Sequence, residues 1–413
     1  GPNPGYIDEI CTFTTKTIDA DGDNVCYKFD CGDGTPFSKW TSSVTSGNPG
    51  RASYTYRKLG TFYVKAQAKD EPGAVSEWSD AMAITIKVGP GAIWVADCSG
   101  GQPPNDSGEV VKLGKGGSRI CSYGFHRPTL DSSAHPHFQG PWRLAVDPQD
   151  GDVWIACSFG IDRVFKLSVN GKYKGMLIPE TTCPSTPCVD NNGDCWIPLV
   201  DGKKIIKLAR LPVGLDIIKI GEILDNLGNM IYPIAIALDI DSNWIWVVES
   251  SMAGGYVSKF DGSPPHSRLL GPLGGFKATW AEVDPVTHYC WVADGGSNLV
   301  KKISPAGQIT PYSGSGFSEP ACLSVNPNTH EIWVADKNNN RVVKLSEIGE
   351  ERCVVGGLSF PMAVEVDPND GSCWIADPGS MKVIKVDAVG GFLFEVTGFT
   401  EPAGLSLNPN ADL

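Results

Sequence analysis

The chain has 413 residues and sets 34 Lys/Arg against 47 Asp/Glu, for a formal charge of −13 and a pI near 4.9. No block of Lys/Arg interrupts that acidity, which argues against nucleic acid as a partner, because such binding needs a basic face to displace counterions. No run of about 18 apolar residues is present, so membrane insertion by a helix is excluded, while a 41 % hydrophobic share and 12 tryptophans supply a core.

Thirteen cysteines contain no Cys-x-x-Cys pair, which rules out a zinc ribbon, a redox pair and a haem attachment site by spacing. Disulfides in an oxidising compartment are the expected use of several; small apolar strand residues are the alternative. The start, Gly1-Pro2-Asn3-Pro4, carries neither methionine nor a signal-peptide pattern and reads as a mature product or a fragment. Residues 1–5, polar and proline-rich, are expected to form an arm onto a neighbour.

Period-2 alternation dominates and amphipathic helical patterns are almost absent, so the expected class is all-β. Residues 1–88 read as a small sandwich with strands at 10–15, 25–30, 52–56, 60–69 and 81–88. The stretch Tyr27-Lys-Phe-Asp-Cys-Gly-Asp-Gly-Thr35 and the later Tyr54-Thr-Tyr-Arg-Lys-Leu-Gly-Thr-Phe-Tyr-Val-Lys65 resemble the PKD-type immunoglobulin-like domain, which is marked by a Gly-Asp-Gly-Thr turn and a Tyr-x-x-x-Gly-x-Tyr-x-Val strand. Cys31 departs from the family, which has an aromatic there, and becomes a disulfide candidate. Cys11, on the first strand, is expected to face a neighbouring strand carrying Cys26 and Cys31. Asp19, Asp21 and Asp23, joined by Asp70, are candidate oxygen ligands for Ca2+, with an ordinary Asp-Gly-Asp turn as the alternative. No cofactor is otherwise required.

The texture changes at Val88-Gly-Pro-Gly91, and residues 89–413 repeat. A tryptophan recurs inside short apolar strands at Trp94, Trp154, Trp196, Trp246, Trp291, Trp333 and Trp374, with spacings of 60, 42, 50, 45, 42 and 41 residues. A second strand ending in Lys-hydrophobic follows most of them, as in Arg341-Val-Val-Lys-Leu345, and a third precedes most. Four strands in about 42 residues is the period of a β-propeller blade. Val334-Ala-Asp-Lys-Asn-Asn-Asn-Arg-Val-Val-Lys-Leu345 is similar to the NHL repeat. The first Trp strand lacks an inner strand before it, and the chain ends on an inner strand with no Trp strand after it. The two halves are expected to make one blade, closing a ring of seven and pairing Leu405–Leu407 with Ile93–Ala96.

Asp97, Glu249, Asp294, Asp336 and Asp377 end Trp strands and are candidates for a binding face, with capping of the following turn as the alternative. His135 and His137 are further binding-face candidates in the longest inter-blade insertion. Cys183 and Cys188 are candidates to close a short loop by a disulfide, and Asn105 begins a glycosylation sequon.

Two functions remain. One is a non-enzymatic extracellular or cell-surface structural and binding protein, a subunit of a filament or surface layer, making protein or glycan contacts, including head-to-tail contacts with copies of itself. The linker, short and held by Pro90, suits such a building block. The other is a secreted propeller lyase or hydrolase with a metal site at the central channel. The inner strands begin without histidine, which favours the non-enzymatic reading.

Overall fold

The computed structural model describes residues 4–98, 108–124, 140–158, 162–177, 179, 183–209, 217, 219–223, 232–250, 254–408 and 410. The chain divides into two compact units at Pro90–Gly91, with Leu113–Ile120 grouped with the first.

The first unit is a two-sheet sandwich of six strands: β1 (Gly5–Tyr6), β2 (Ile10–Thr15), β3 (Val25–Asp30), β4 (Gly50–Thr55), β5 (Gly60–Asp70) and β6 (Met82–Lys87). One sheet runs β1-β6-β5-β3 and the other is β2-β4. Strand β3 alternates strictly, with Val25, Tyr27 and Phe29 buried and Cys26, Lys28 and Asp30 facing outward. The Gly-Asp-Gly-Thr turn is a hydrogen-bonded unit. Asp33 accepts from the Thr35 amide at 3.1 Å, the Thr35 hydroxyl at 2.6 Å and the Tyr54 hydroxyl at 2.5 Å. Burial alone would raise this carboxyl; the bonds from Thr35 and Tyr54 outweigh it and hold the group below its ordinary value. Gly32 has φ +76° and backs onto the Tyr63 backbone, where a Cβ would sit 2.5 Å from the carbonyl oxygen, so only glycine serves there. Gly5, expected in a free arm, instead pairs with Ile86 of its own sheet.

The second unit is a ring of seven four-stranded antiparallel sheets. Blade 1 joins the two ends of the unit: Pro402–Asn408 is its inner strand, followed by Ala92–Asp97, Glu109–Leu113 and Arg119–Gly124. Leu405 pairs with Val95, Ser406 with Trp94 and Leu407 with Ile93, as the half-blade argument requires. Blades 2 to 7 follow in chain order, their inner strands being Pro141–Val146, Cys188–Val189, Pro233–Asp239, Trp280–Val283, Pro320–Val325 and Ala363–Val366. Ring closure leaves no exposed inner edge to recruit another chain.

The repeating tryptophan is the buried centre of each blade; six of the seven are wholly inaccessible and Trp196 is 2 % exposed. Each carries the ammonium of a third-strand lysine over its ring, at distances from 4.7 Å (Lys385 over Trp374) to 5.5 Å (Lys112 over Trp94). Strand register makes the pair, since Trp333 is the direct partner of Lys344 and Trp374 of Lys385. Four of these lysines then donate into the outer turn of the next blade: Lys112 to the Val169 carbonyl (2.9 Å), Lys259 to Pro305 (2.7 Å), Lys302 to Glu347 (2.7 Å) and Lys344 to Ala388 (2.8 Å). One side chain thus covers its own blade's tryptophan and fastens the neighbouring blade. Replacing Lys344 by Ala removes both contacts and the ion pair with Glu331 at 2.6 Å, all at a buried position, and is expected to lower unfolding free energy by about 2 kcal/mol, measured by denaturant titration. Arg352→Ala, an exposed pair with Glu350 on the same blade, is expected to change little.

Candidate functional site

Each inner strand places one residue opposite its blade's tryptophan, and these seven positions form a belt around the central channel. They are Ser406, Ala145, Cys188, Ala237, Glu282, Ser324 and Glu365 in blades 1 to 7. The polar members lie in consecutive blades, and each accepts the backbone N–H of the next inner strand. Val325 donates to Glu282 Oε1 at 3.0 Å, Val366 to Ser324 Oγ at 3.2 Å, Leu407 to Glu365 Oε1 at 3.4 Å and Val146 to Ser406 Oγ at 3.0 Å. The bonds therefore run from blade 5 through 6, 7 and 1 into blade 2, across the junction of the chain ends. Cys188 adds a thiol bond to the Ile236 carbonyl at 3.2 Å, between blades 3 and 4.

The belt borders a cavity of about 350 Å³ whose lining includes Glu282, Glu365, Cys188, Trp280 and Ser406. Both carboxyls are surrounded by protein while touching the cavity. Burial pushes Glu282 up from the ordinary value near 4.5 to about 7, against the bond from the Val325 amide. Burial also drives Glu365 up, and the charge of Glu282 drives it further. At neutral pH the pair therefore retains proton. At another level of the channel wall lies Arg143, 7 % exposed. Its guanidinium lies 5.1 Å from the Trp142 ring and 4.9 Å from the Trp280 ring, and Nη1 donates to the Ala403 carbonyl at 2.8 Å. Burial lowers its pKa from the ordinary value, yet an arginine stays charged.

A divalent metal at this channel does not fit the described residues. The belt carboxyls and the Cys188 thiol do not converge as the three-ligand set a bound metal needs, and the described histidines lie elsewhere. His288 and His330 bond through Nδ1 to Asp239 at 3.1 Å and Asp284 at 2.9 Å, carboxylates of the preceding blades' inner-strand ends. His266 packs edge-on against Trp196. Among the described residues no three His, Cys, Asp or Glu groups are placed to hold a metal ion.

The acidic residues that end the Trp strands are interior groups. Asp97, Glu249, Asp294, Asp336 and Asp377 are 3 % exposed or less. Asp97 accepts the Thr400 and Glu401 amides at 2.9 and 2.5 Å, Asp294 that of Lys277, Asp336 that of Ser318 and Asp377 that of Ser359. These amides belong to the segment leading into the same blade's inner strand, while the short 3-10 turns after Asp294, Asp336 and Asp377 receive no side-chain cap. Lys301 and Arg341 neutralise Asp294 and Asp336 at 2.5 and 2.6 Å, and Glu249 accepts from Ser258. Their carboxylates consequently offer no open acidic ring.

In the sandwich, Asp19 Oδ1 accepts the amides of Asp21 and Asp23, both at 3.1 Å, and Asp70 Oδ1 those of Gly73 and Ala74. Desolvation and the charges of Asp19, Asp21, Asp70 and Glu71 raise Asp23, which places these groups in one neighbourhood. His135, His137 and Asn105 lie outside the described residues.

The expected disulfides are absent: Cys183, Cys188, Cys11, Cys26 and Cys31 each carry a thiol. Cys183 and Cys188 stand at opposite ends of an extended segment, Pro184 pairing with Leu199 and Cys188 with Trp196. Five extended residues separate their Cα atoms well beyond the ~7 Å a disulfide tolerates. Cys11 is on β2, whose partner is β4 and not β3. Cys26 points away from the core, its thiol 3.5 Å from the Lys69 carbonyl, while Cys11 and Cys31 are buried in it.

The PKD domain family matches residues 8–82, and the NHL repeat matches residues 317–345. Comparison of the sequence with curated proteins finds no match. Among solved structures the chain is similar to a streptogramin B lyase (16 % identity, TM-score 0.52, covering 64 % of this chain and 86 % of that one). It is also similar to the WD40 repeats of RRP9 (13 %, TM-score 0.54, 66 % and 85 %). A third is a catalytically inactive virginiamycin B lyase from Staphylococcus aureus with quinupristin (15 %, TM-score 0.50, 66 % and 93 %). At these identities the likeness is one of fold, the β-propeller.

The belt carboxyls yield a pH test. Their folded-state pKa values lie above the unfolded value, so the protonated form is favoured by folding. The resulting cost is nil below about pH 4, grows as the unfolded chain ionises, and is complete once pH passes the folded value of Glu282 near 7. Glu282→Gln keeps an acceptor for Val325 and cannot ionise. It is expected to raise the melting temperature at pH 8 and leave it unchanged at pH 4; a gain equal at both pH values would show that ionisation is not the cause.

Proposed function

We propose that the protein is a non-enzymatic extracellular or cell-surface binding and structural protein, in which the propeller is a rigid scaffold and contacts are made to protein or glycan. The observation that carries this reading is the internal use of the ring's ionisable groups. The acids ending the Trp strands hold backbone amides, and the belt carboxyls hold the next blade while retaining proton. Groups committed to fixing blades are poorly placed to change partners during a reaction cycle. The PKD domain match supports an extracellular setting by analogy, and no helix among the described residues is long and apolar enough to cross a membrane. Head-to-tail contacts between copies would be heterologous and would propagate if the rotation does not close.

A membrane-impermeant amine reagent applied to intact producing cells is expected to label the protein without permeabilisation; labelling only after lysis would overturn the location. Sedimentation and electron microscopy of the full chain are expected to show assemblies that lengthen with concentration, and strictly monomeric particles would remove the filament role.

The second reading, a lyase, rests on the two carboxyls facing a cavity of drug-like dimensions and on the fold shared with streptogramin-type lyases. Incubation with quinupristin, followed by mass spectrometry, is expected to return it intact. Turnover abolished by Glu282→Gln would replace the scaffold reading with this one.

A further inference from the structure

The outer face of the β3–β5 sheet carries a feature that the fold does not demand. Two tetrapeptides of like pattern, Ser38-Lys-Trp-Thr41 and Ser76-Glu-Trp-Ser79, flank this sheet, one along each side. In the first, Ser38 Oγ and Thr41 Oγ1 accept the Phe29 and Tyr27 amides at 2.8 and 2.9 Å. In the second, Ser76 Oγ and Ser79 Oγ accept the Ala68 and Ala66 amides, both at 3.0 Å. Each of these hydroxyls then donates to the carbonyl of the residue after it. The hydroxyls thus satisfy strand amides that a neighbouring strand would otherwise pair. Each segment carries a partly exposed tryptophan, Trp40 or Trp78.

Those tryptophans enter a continuous alternation of rings and cations. Lys69 Nζ lies 4.9 Å from the Trp40 ring, Lys28 Nζ lies 5.5 Å from the same ring and 4.9 Å from Phe37, and Phe37 meets Trp78 at 5.1 Å. Phe37 is half exposed. Lys65 stands on the same outward face of β5 as Lys69, two residues on either side of Gln67. Neither Lys28, Lys65 nor Lys69 forms an ion pair with any described residue. Asp30, the cross-strand neighbour of Lys65, accepts the Gly32 amide, and Glu77 stands in the second tetrapeptide. In a chain of net charge −13, an aromatic surface with three lysines outside any ion pair is complementary to an anionic partner.

We propose that this face binds an acidic polysaccharide, one bearing carboxylate or sulfate groups along its chain. The alternation of flat rings with ammonium groups matches a polymer whose sugar rings present apolar C–H faces between anionic substituents. The rings supply stacking area, and the lysines supply charge that the stacking alone does not use. An acidic protein segment would meet the lysines but leave the rings without flat partners. The inference rests on the extracellular binding reading for its setting and names its ligand class. It fails independently, because cell-surface labelling does not report on this face.

The test is surface plasmon resonance with the purified full chain over immobilised heparin and polygalacturonate, with uncharged dextran and polyglutamate as controls. Binding to at least one acidic polysaccharide is expected, none to dextran, and at least tenfold weaker binding to polyglutamate. Lys28→Gln with Lys69→Gln, and separately Phe37→Ala at its exposed position, are each expected to weaken binding at least tenfold. Arg51→Gln, exposed on β4 of the other sheet, is expected to leave it unchanged. Melting temperatures of the variants separate lost folding from lost contact, and the lysine pair is expected to melt within a few degrees of the parent. The proposal is overturned by no binding to either acidic polysaccharide, by equal binding to polyglutamate, or by folded variants that bind as the parent does.

Discussion

The propeller depends on a pairing between a buried indole and a lysine that is half cation and half hydrocarbon. A tryptophan fills the space between blades because it is large and flat, and its ring carries a negative face that needs a positive cover. The third-strand lysine lays its methylenes along the sheet and its ammonium over that ring, then spends its remaining donors on the next blade's outer turn. An arginine would not substitute simply, because its planar fork is wider and favours bidentate acceptors over a single carbonyl. The pair recurs in seven blades, and in four of them the lysine links packing inside its blade to registration with the next.

The same economy governs the channel. An innermost strand has one edge without a strand neighbour, and its amides need acceptors that water in a narrow channel supplies poorly. Serine and glutamate at the belt position meet that need from the preceding blade. Blades 2 and 4 carry alanine there, so the reinforcement is confined to one arc. That arc contains the junction at which the chain's end returns to its beginning, where no peptide bond joins the inner strand to the rest of its own blade. Placing two ionisable groups in the arc costs stability as they approach ionisation, which burial and mutual repulsion oppose.

Much of the fold was legible because its causes are local or periodic. The Trp spacing gave the number of blades, and the unmatched strands at the two ends gave the closure of Leu405 against Val95. The Asp-Gly and His turns were harder. In four blades the fifth residue after the inner strand is left-handed: His288 and His330 stand there with φ near +60°, and Gly151 and Gly371 fill the same place in two others. Their ring bonds to the preceding blade offset that strain, a reason that no local pattern displays. The Trp-strand acids were visible as a series, but their donors were not, since Asp97 serves amides 303 and 304 residues away. Glu282 and Glu365 did leave a signal, a charged residue inside an apolar inner strand two places before Asp-Pro. The disulfide expectation failed because cysteine spacing carries no information about which sheet or which face a strand will occupy.

The two units put charge to opposite uses. In the propeller, the third-strand lysines and the acids that end the Trp strands turn inward and are held by rings, amides and one another, which leaves them little capacity for exchange. In the sandwich, the core is closed by Phe13, Tyr27, Phe29 and Tyr56, and the outward lysines and aromatics of the β3–β5 face are not required to complete it. The rings beside these lysines carry no charge to neutralise them, so their ammonium groups keep their attraction for an anionic partner. An exposed surface of rings and lysines outside any ion pair is the arrangement expected of a binding element, whereas charged groups turned into the ring are the arrangement expected of a support.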